Sequence, residues 1–416
     1  MGDGRPSIPK VVVVGAGFAG LAAAKAFGGS DADVTLVDRR IYSTFQPLLY
    51  QVATGGLNPG DVAYSVRTFV RRKHLHYRHG MVCSIDADRR QIVLEQGEAL
   101  PYDYVVLATG AAVNHFGVPG AAEHAFSLYT RSDAIALRDA LMARLERRAE
   151  AGTGGGVTLL VVGGGPTGIE TAGALAELRN AALAVAFPEL DRRQMRVLLV
   201  EQSRELLGLF APSLRRYTLR QLQRREVEVR LGTAIQAIAA DSVTLEGGEI
   251  VPADLVVWAA GVSVPPETEG WGLPQGRGGR LMVESDLRVK GHDRIFATGD
   301  LALLGAEGLP QLAQPAIQTG RHAARQVGRL LKGQPTEPFR YKDKGIMATI
   351  GRRAAVAQLP FGIHLRGTVA FLAWLGLHIV MLLGNRNRAS ALLNLSWRYL
   401  SWPEGSGIIV GDIPED

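Results

Sequence analysis

Val11-Val12-Val13-Val14-Gly15-Ala16-Gly17-Phe18-Ala19-Gly20 and Leu159-Leu160-Val161-Val162-Gly163-Gly164-Gly165-Pro166-Thr167-Gly168 decide the fold of this chain. Each reads as a buried strand, then G-x-G-x-x-G, then a helical run. In such a turn the first glycine permits the tight turn and the second lets the backbone approach a pyrophosphate. The third lets the helix pack against the sheet. The helix N-terminus offers its unpaired N–H groups and positive dipole end to phosphate. A lone turn of this kind also occurs as a structural element of a βαβ unit, so the context matters. Asp33-Val34-Thr35-Leu36-Val37 runs into Asp38, 18 residues after Gly20, where an acid can hold ribose hydroxyls. Leu198-Leu199-Val200 runs into Glu201, 33 residues after Gly168, and a lengthened helix and loop over 180–195 accounts for the excess. A carboxylate there favours a free 2′-hydroxyl, hence NADH over NADPH, with Arg204 close behind acting the other way. Two nucleotide sites on one polypeptide imply electron transfer between their ligands.

A second pair of segments extends the repeat. Pro101-Tyr102-Asp103-Tyr104-Val105-Val106-Leu107-Ala108-Thr109-Gly110 and Pro252-Ala253-Asp254-Leu255-Val256-Val257-Trp258-Ala259-Ala260-Gly261 both read P-x-D-x-V-V-x-A-x-G. They are offset by 151 residues, against 148 between Gly15 and Gly163. Two short apolar strands can match by chance. Matched order and spacing point instead to two copies of one architecture, the second inserted in the first. The fold class is therefore α/β, with two Rossmann-like dinucleotide-binding domains. The first spans 1–115 and 270–335 as a discontinuous domain, the second spans 116–269, and a C-terminal segment spans 336–416.

The 416 residues suffice for two or three domains with real cores. The single cysteine, Cys83, excludes a disulfide framework and a redox-active dithiol, and it fits a reducing compartment. Neither the one cysteine nor the nine histidines form a metal-ligand pattern. Met1–Lys10 lacks an apolar stretch, so no secretory signal is legible, and Pro6 stands where N-myristoylation needs Ser or Thr. The net charge of +6 comes without a nucleic-acid motif, so no nucleic-acid partner is expected.

The location of the charge is more telling. Lys344 to Pro403 contains no Asp or Glu but includes Lys344, Arg352, Arg353, Arg366, Arg386, Arg388 and Arg398. Within it, Thr368–Gly384 is a 17-residue apolar run with His378 as its one ionisable side chain. That is the short edge of what crosses a bilayer. Ala391 to Trp402 follows, mixing Trp397, Arg398, Tyr399 and Trp402 in the manner of a headgroup interface. An in-plane anchor fits best. A spanning helix and a helix buried in a core or at a dimer interface are the alternatives.

Between repeat and tail, Asp293–Asp300 is a short strand stopping at Thr-Gly-Asp. Asp300 can accept hydrogen bonds from a ribityl chain or simply cap a turn. Ala313-Gln314-Pro315-Ala316-Ile317-Gln318 opens a helix with Pro315 in its first turn. Gln314 and Gln318 then share a face, either gripping a polar ring edge or facing solvent. Phe45–Gln51 suits the face and edge of a flavin, or else plugs a hydrophobic loop.

These residues resemble the type II NADH dehydrogenases, single-subunit NADH:quinone oxidoreductases that pump no protons. The likeness covers nearly the whole chain. Beside the glycine turns it rests on FQPLLYQVATG (Phe45–Gly55), GGGPTGIE (Gly163–Glu170), Ala297–Asp300, AQPAIQ (Ala313–Gln318), GIMATIG (Gly345–Gly351) and the basic, aromatic C-terminus. The resemblance implies FAD in the N-terminal unit, held by Gly15, Gly17, Phe18, Ala19, Gly20, Asp38, Arg39, Gln46, Val82, Thr109, Gly110, Asp300, Ala313 and Gln314. It implies NADH in the inserted unit, held by Gly163, Gly165, Pro166, Thr167, Gly168, Glu201 and Gly261. Gln314 and Gln318 would line a quinone site. Glu170 would lie near nicotinamide and flavin, and Lys344 would approach the same cavity. The quinone would be menaquinone or ubiquinone, and the protein a homodimer held peripherally on the cytoplasmic face of the cell membrane.

The expected reaction passes hydride from NADH to flavin N5, then two electrons to quinone. The site supplies orientation and a dry, apposed geometry. A buried Glu170 with a raised pKa would suit proton relay, whereas a carboxylate at a helix start is also a common dipole partner. Two other classes share the nucleotide sites. One is a soluble reductase of ferredoxin or rubredoxin, which needs no apolar tail; the other is a non-catalytic flavin redox sensor.

Overall fold

A computed structural model describes residues 8–150 and 156–400. Met1–Ser7 and the interface residues Ser401, Trp402 and Pro403 lie outside the described residues, as does the side chain of Tyr399. The chain divides into two units. The first gathers 8–43, 64–112 and 262–343; the second gathers 44–63, the inserted segment 113–261 and the tail from Lys344. The sequence assigned 44–63 to the first domain and the tail to a domain of its own. The structure packs both with the inserted segment, for reasons that lie in Tyr50, Gln51 and Asp61 below.

In the first unit a five-stranded parallel sheet has the order Ile295–Ala297, Tyr104–Leu107, Lys10–Val14, Asp33–Asp38, His76–His79. Val11 to Val14 are almost completely buried. That explains the unbroken β-branched run, because a central parallel strand is covered on both faces. In the second unit the order is Ala125–Ser127, Leu255–Trp258, Val157–Val162, Met195–Glu201, Val227–Leu231, again parallel throughout. Each sheet is joined by a three-stranded antiparallel one: Val82–Asp86, Gln91–Leu94, Ala99–Pro101 in the first unit and Ile235–Ile238, Ser242–Leu245, Ile250–Pro252 in the second.

The repeat extends to single hydrogen bonds. Leu94 N donates to Glu98 O at 2.8 Å, and Leu245 N to Glu249 O at 2.8 Å. The acid of P-x-D has a structural job in both copies. Asp103 Oδ2 accepts from Lys10 N at 2.8 Å and Asp254 Oδ2 from Thr158 N at 2.8 Å. Each carboxylate thus ties the strand it introduces to the start of its glycine-turn strand.

The two turns are built alike. Gly15 and Gly163 have φ of +104° and +108°, open only to glycine at low cost. A Cβ on Gly20 would stand 1.7 Å from Gly15 O, and one on Gly168 would stand 1.8 Å from Gly163 O. The helices Phe18–Phe27 and Pro166–Glu177 therefore start in backbone contact with the turn that launches them. Gly320 extends the principle. Its Cβ would stand 2.0 Å from Ala19 O, so Ala313–Leu331 meets the first turn's helix backbone to backbone. The 180–195 excess is a π-helical turn at Leu178–Ala182, the short helix Leu183–Ala186 and a loop.

In the tail, the antiparallel strands Ile346–Gly351, Ala354–Gln358 and His364–Arg366 precede two helices, Gly367–Met381 and Asn385–Leu400. Gly173 lets the helix Pro166–Glu177 press onto the first of these strands, since a Cβ there would lie 2.1 Å from Ile350 O. Gly168→Ala is expected to lower stability by more than about 2 kcal/mol. Gly165→Ala should leave the melting temperature unchanged, because nothing lies within 4 Å of its Cβ position. Calorimetry of the two variants checks this contrast.

Candidate functional site

Each unit carries its own cradle. In the first, Gly15 N donates to Val37 O at 2.7 Å, which joins the turn to the strand ending in Asp38. Asp38 Oδ2 accepts from Ala16 N at 2.5 Å and Oδ1 from Arg40 N at 2.6 Å. Burial raises its pKa, and those two N–H groups and the neighbouring arginines oppose the rise. Each carboxyl oxygen keeps acceptor capacity for a ribose hydroxyl. Gly17 is exposed, with nothing within 4 Å of where a Cβ would stand. Ala19, Ala108 and Ala316 form a small-residue floor with Phe18 against it.

The rim of this cradle is polar. Thr109 Oγ1 is buried without a hydrogen-bond partner, and Gly110 has φ of +75°. Burial pushes the Asp300 carboxyl to about 6, against the pull of Arg280. Arg280 donates to Ala302 O at 2.5 Å and Leu309 O at 3.2 Å, so it also pins the loop after Asp300. Gly299 N donates to Thr319 Oγ1 at 3.0 Å, fixing the Thr-Gly-Asp corner on the helix Ala313–Leu331. Arg39 pairs with Glu267 at 3.2 Å, and Val82 is buried with its carbonyl accepting from Trp271 Nε1 at 3.4 Å. An open glycine, an orphaned hydroxyl and a buried carboxyl at one strand-end rim fit a large, polar, phosphate-bearing group such as FAD.

The two glutamines do meet. Gln318 Nε2 lies 3.5 Å from Gln314 Oε1, on the helix that begins at Ala313. Gln318 is otherwise engaged with the backbone of Lys342, donating to its carbonyl at 2.9 Å and accepting from its N–H at 3.0 Å. Its amide therefore clips the extended segment after the helix, a connection invisible in the helical spacing.

The second cradle repeats the first. Gly163 N donates to Val200 O at 2.8 Å. Glu201 Oε2 accepts from Gly164 N at 2.5 Å and Oε1 from Ser203 N at 2.6 Å, the geometry of Asp38 in the other copy. Gly165 faces open space, and Pro166 and Thr167 are exposed at the helix start. Gly261 has φ of +69° and lies under the ring of Phe116, which a Cβ would strike. Phe116, 60% exposed, is a residue the sequence reading passed over. These residues fit a second dinucleotide that comes and goes.

One turn into the helix Pro166–Glu177 lies a buried acid. Glu170 Oε1 accepts from Thr349 N at 3.3 Å. Burial pushes its pKa to about 8; Thr349 N–H and the Trp374 indole pull it down, and no charged group contributes. Trp374 is fully buried on the helix Gly367–Met381, between Tyr50 (ring centroids 6.3 Å) and His378 (4.2 Å, stacked). Gln46 opens the half-buried turn Gln46–Leu48 that leads into Tyr50. Lys344 is exposed at the start of the tail.

The tail is fastened by polar bonds and leaves its apolar side open. Asp61 accepts from Ser390 Oγ at 2.6 Å and from Asn394 Nδ2 at 2.7 Å. Buried Arg398 donates to Gln51 Oε1 at 2.6 Å and lowers the pKa of Glu177, which burial raises. Val369, Leu372, Leu377, Val380, Leu392 and Leu393 remain exposed. No helix among the described residues is long and apolar enough to cross a membrane, so a span over Thr368–Gly384 is not supported.

The chain matches the family model for pyridine nucleotide-disulphide oxidoreductases over residues 9–320 and that for the NDH2 C-terminal domain over 344–401. It is 38% identical to the type II NADH:quinone oxidoreductase NdhA of Mycobacterium tuberculosis, across 94% of this chain and 88% of that one. It is 30% identical to the type II NADH:quinone oxidoreductase of Staphylococcus aureus, across 87% and 92%. The fold is shared with NDH2 of Plasmodium falciparum in complex with NADH (TM-score 0.88, 20% identity, 96% and 99% covered). It is shared less closely with a sulfide:quinone oxidoreductase of Aquifex aeolicus (TM-score 0.76, 19% identity, 92% of each chain).

The native state keeps on Glu170 a proton that the unfolded chain releases above its ordinary pKa of 4.5. This group's contribution therefore makes stability fall as pH rises from 4.5 to about 8. Glu170→Gln should be neutral near pH 4.5 and stabilising by up to about 3 kcal/mol at pH 7. Denaturant titrations at the two pH values measure it.

Proposed function

The chain belongs to the type II NADH:quinone oxidoreductases, and from that premise we propose residue roles, a membrane face and an assembly for it. It is a flavoprotein that uses FAD and NADH, acts on quinone, pumps no protons and associates peripherally with a membrane. The chemistry of the flavin, when bound, is two-electron redox: hydride in from NADH, two electrons out to quinone.

The backbone at Gly17 and the start of Phe18–Phe27 hold the FAD pyrophosphate, and Asp38 its ribose. Thr109 and Asp300 supply polar contacts further along that cofactor, with Arg39, Gln46, Val82, Gly110 and Ala313 around it. Gly163, Gly165 and Gly168, with Pro166 and Thr167, form the phosphate turn for NADH, and Glu201 holds its ribose. Gly261 and Phe116 border the same cradle. The carboxylate of Glu201 repels a 2′-phosphate, which supports NADH as the donor. Glu170 holds a proton at Oε near neutral pH and can release it in a site with no competing charge. Gln314 offers its amide to quinone, while Gln318 orients Gln314 and clips Lys342. Lys344 approaches the quinone path from the tail.

The observation that carries the membrane reading is the exposed apolar side of Gly367–Met381 and Asn385–Leu400, fastened underneath by Trp374, Asp61 and Arg398. That side suits an in-plane seat with Arg386 and Arg388, both exposed, at the headgroups, while Arg398 is turned inward. The face is proposed to be the cytoplasmic one, where NADH is made, with menaquinone or ubiquinone as acceptor and a homodimer as the assembly. A soluble ferredoxin reductase has no use for such a surface.

Stopped-flow mixing with NADH should bleach the flavin, and ubiquinone or menaquinone should restore it far faster than ferredoxin or oxygen does. Fast return with ferredoxin alone would remove quinone as the acceptor. Leu372→Asp with Leu393→Asp should weaken binding to lipid vesicles about tenfold or more while flavin reduction by NADH persists. Unchanged flotation with vesicles would sink this membrane face.

A further inference from the structure

Resting on that reading of the enzyme, we propose that Trp374 is a positioning residue for Glu170. Its buried indole N–H is the donor held ready for the ionised carboxyl, and it carries the seating of the membrane-facing helix Gly367–Met381 to that group.

Trp374 is fully buried, and its Nε1 makes no hydrogen bond of ordinary distance and angle. Buried indole N–H groups normally find one, and an orphan in a native core calls for a reason. The rings around it fix its plane. Tyr50 lies at 6.3 Å, Phe371 at 6.5 Å and His378 at 4.2 Å between centroids. The group that responds to the indole is Glu170, whose pKa burial raises and Thr349 N–H and Trp374 lower. A neutral carboxyl leaves the N–H with a weak acceptor. A carboxylate would draw it into a charge-assisted bond, roughly twice as strong.

His378 buttresses the indole. Its Nδ1 meets Trp374 O at 2.6 Å, one turn back, so Nδ1 carries the ring proton. Burial holds its pKa at about 4, which keeps it neutral at pH 7. Phe45 meets it edge to face at 6.1 Å. The same helix turns Val369, Leu372, Leu377 and Val380 outward. One rigid helix thus has its lipid side and its indole on opposite faces, and a shift of one moves the other.

The charged groups on the elements packed around Glu170 are engaged elsewhere, Arg179 on Leu178–Ala182 with Met195 O, Arg225 O and Glu226. The strand Ile346–Gly351 and the strand Val157–Val162 carry no titratable group. On the tail helix only His378 titrates, and on Leu49–Ala53 only Tyr50. On its own helix the next is Glu177, two turns on, whose charge is met by Arg398, Arg225 and Arg352. On Met195–Glu201, Arg196 pairs with Glu228 and Glu201 with backbone, and on Val227–Leu231 Arg230 pairs with Glu228 and Glu249.

Infrared difference titration of the FAD-loaded protein tests the role, with the protonated carboxyl band assigned by its loss in Glu170→Gln. Trp374→Phe should move the midpoint of that band up by about one pH unit, a tenfold rise in proton affinity. Trp374→Leu, a second way to delete the indole N–H without a new donor, serves if the first variant does not fold. His378→Phe keeps a ring against Trp374 and should leave the midpoint in place. Vesicles of phosphatidylcholine and phosphatidylglycerol should shift the wild-type midpoint and not that of the Trp374 variants. A midpoint unmoved by loss of the indole, or a vesicle shift that survives it, overturns the proposal. NADH:quinone turnover in the same preparation tests the underlying reading separately. Its absence beside an intact Trp374-dependent shift would sink the reading and leave the positioning role.

Discussion

The contact on which everything else depends is between backbones. In each glycine turn the third glycine lies against the carbonyl of the first, so closely that a Cβ would stand under 2 Å from it. That contact sets the angle at which the helix leaves the sheet. The angle aims the helix N-terminus past the strand end, where phosphate binds. Asp38 and Glu201 then close the turn from the next strand by accepting its N–H groups, which fixes their carboxylates at the mouth of each cradle, where we propose that ribose binds. One packing constraint thus sets the turn, the helix start and the position of the closing acid, twice.

The tail depends on a different constraint. Its first helix, Gly367–Met381, is strongly apolar and too short to span lipid, so it is fastened on one side. The fastening comes from the segment 44–63, far away in sequence. Tyr50 meets Trp374, Gln51 takes Arg398, and Asp61 takes Ser390 and Asn394. FQPLLYQVATG therefore has a structural duty that its composition alone does not disclose. It is the floor on which the tail helices stand, and this is why it groups with the tail and not with the strands beside it in the chain.

Much of the fold was legible because its causes are local. Four valines in a row favour a covered strand, and glycines at fixed offsets directly after it favour a tight turn with a close approach. The duplication was legible because both causes recur at nearly one offset. The tethers were not, because side-chain bonds between distant segments leave no periodicity. Gln318 illustrates this. Its spacing from Gln314 predicted a shared face, and the two do meet, but its bonds to the Lys342 backbone follow from how the chain returns after the helix. Phe116 over Gly261 and Arg280 behind Asp300 were hidden for the same reason.

By itself the sequence determined two dinucleotide cradles, the acids that close them and an apolar, acid-free tail, since each is written in residues near one another along the chain. Only the tertiary structure decided the state of Glu170. A carboxyl one turn past a glycine turn is an ordinary helix-start acid until a strand and an apolar helix from the tail bury it. Then desolvation, opposed only by one backbone N–H and one indole, sets whether it carries a proton. Desolvation depends on every atom that displaces water, and those atoms come from parts of the chain more than 170 residues away.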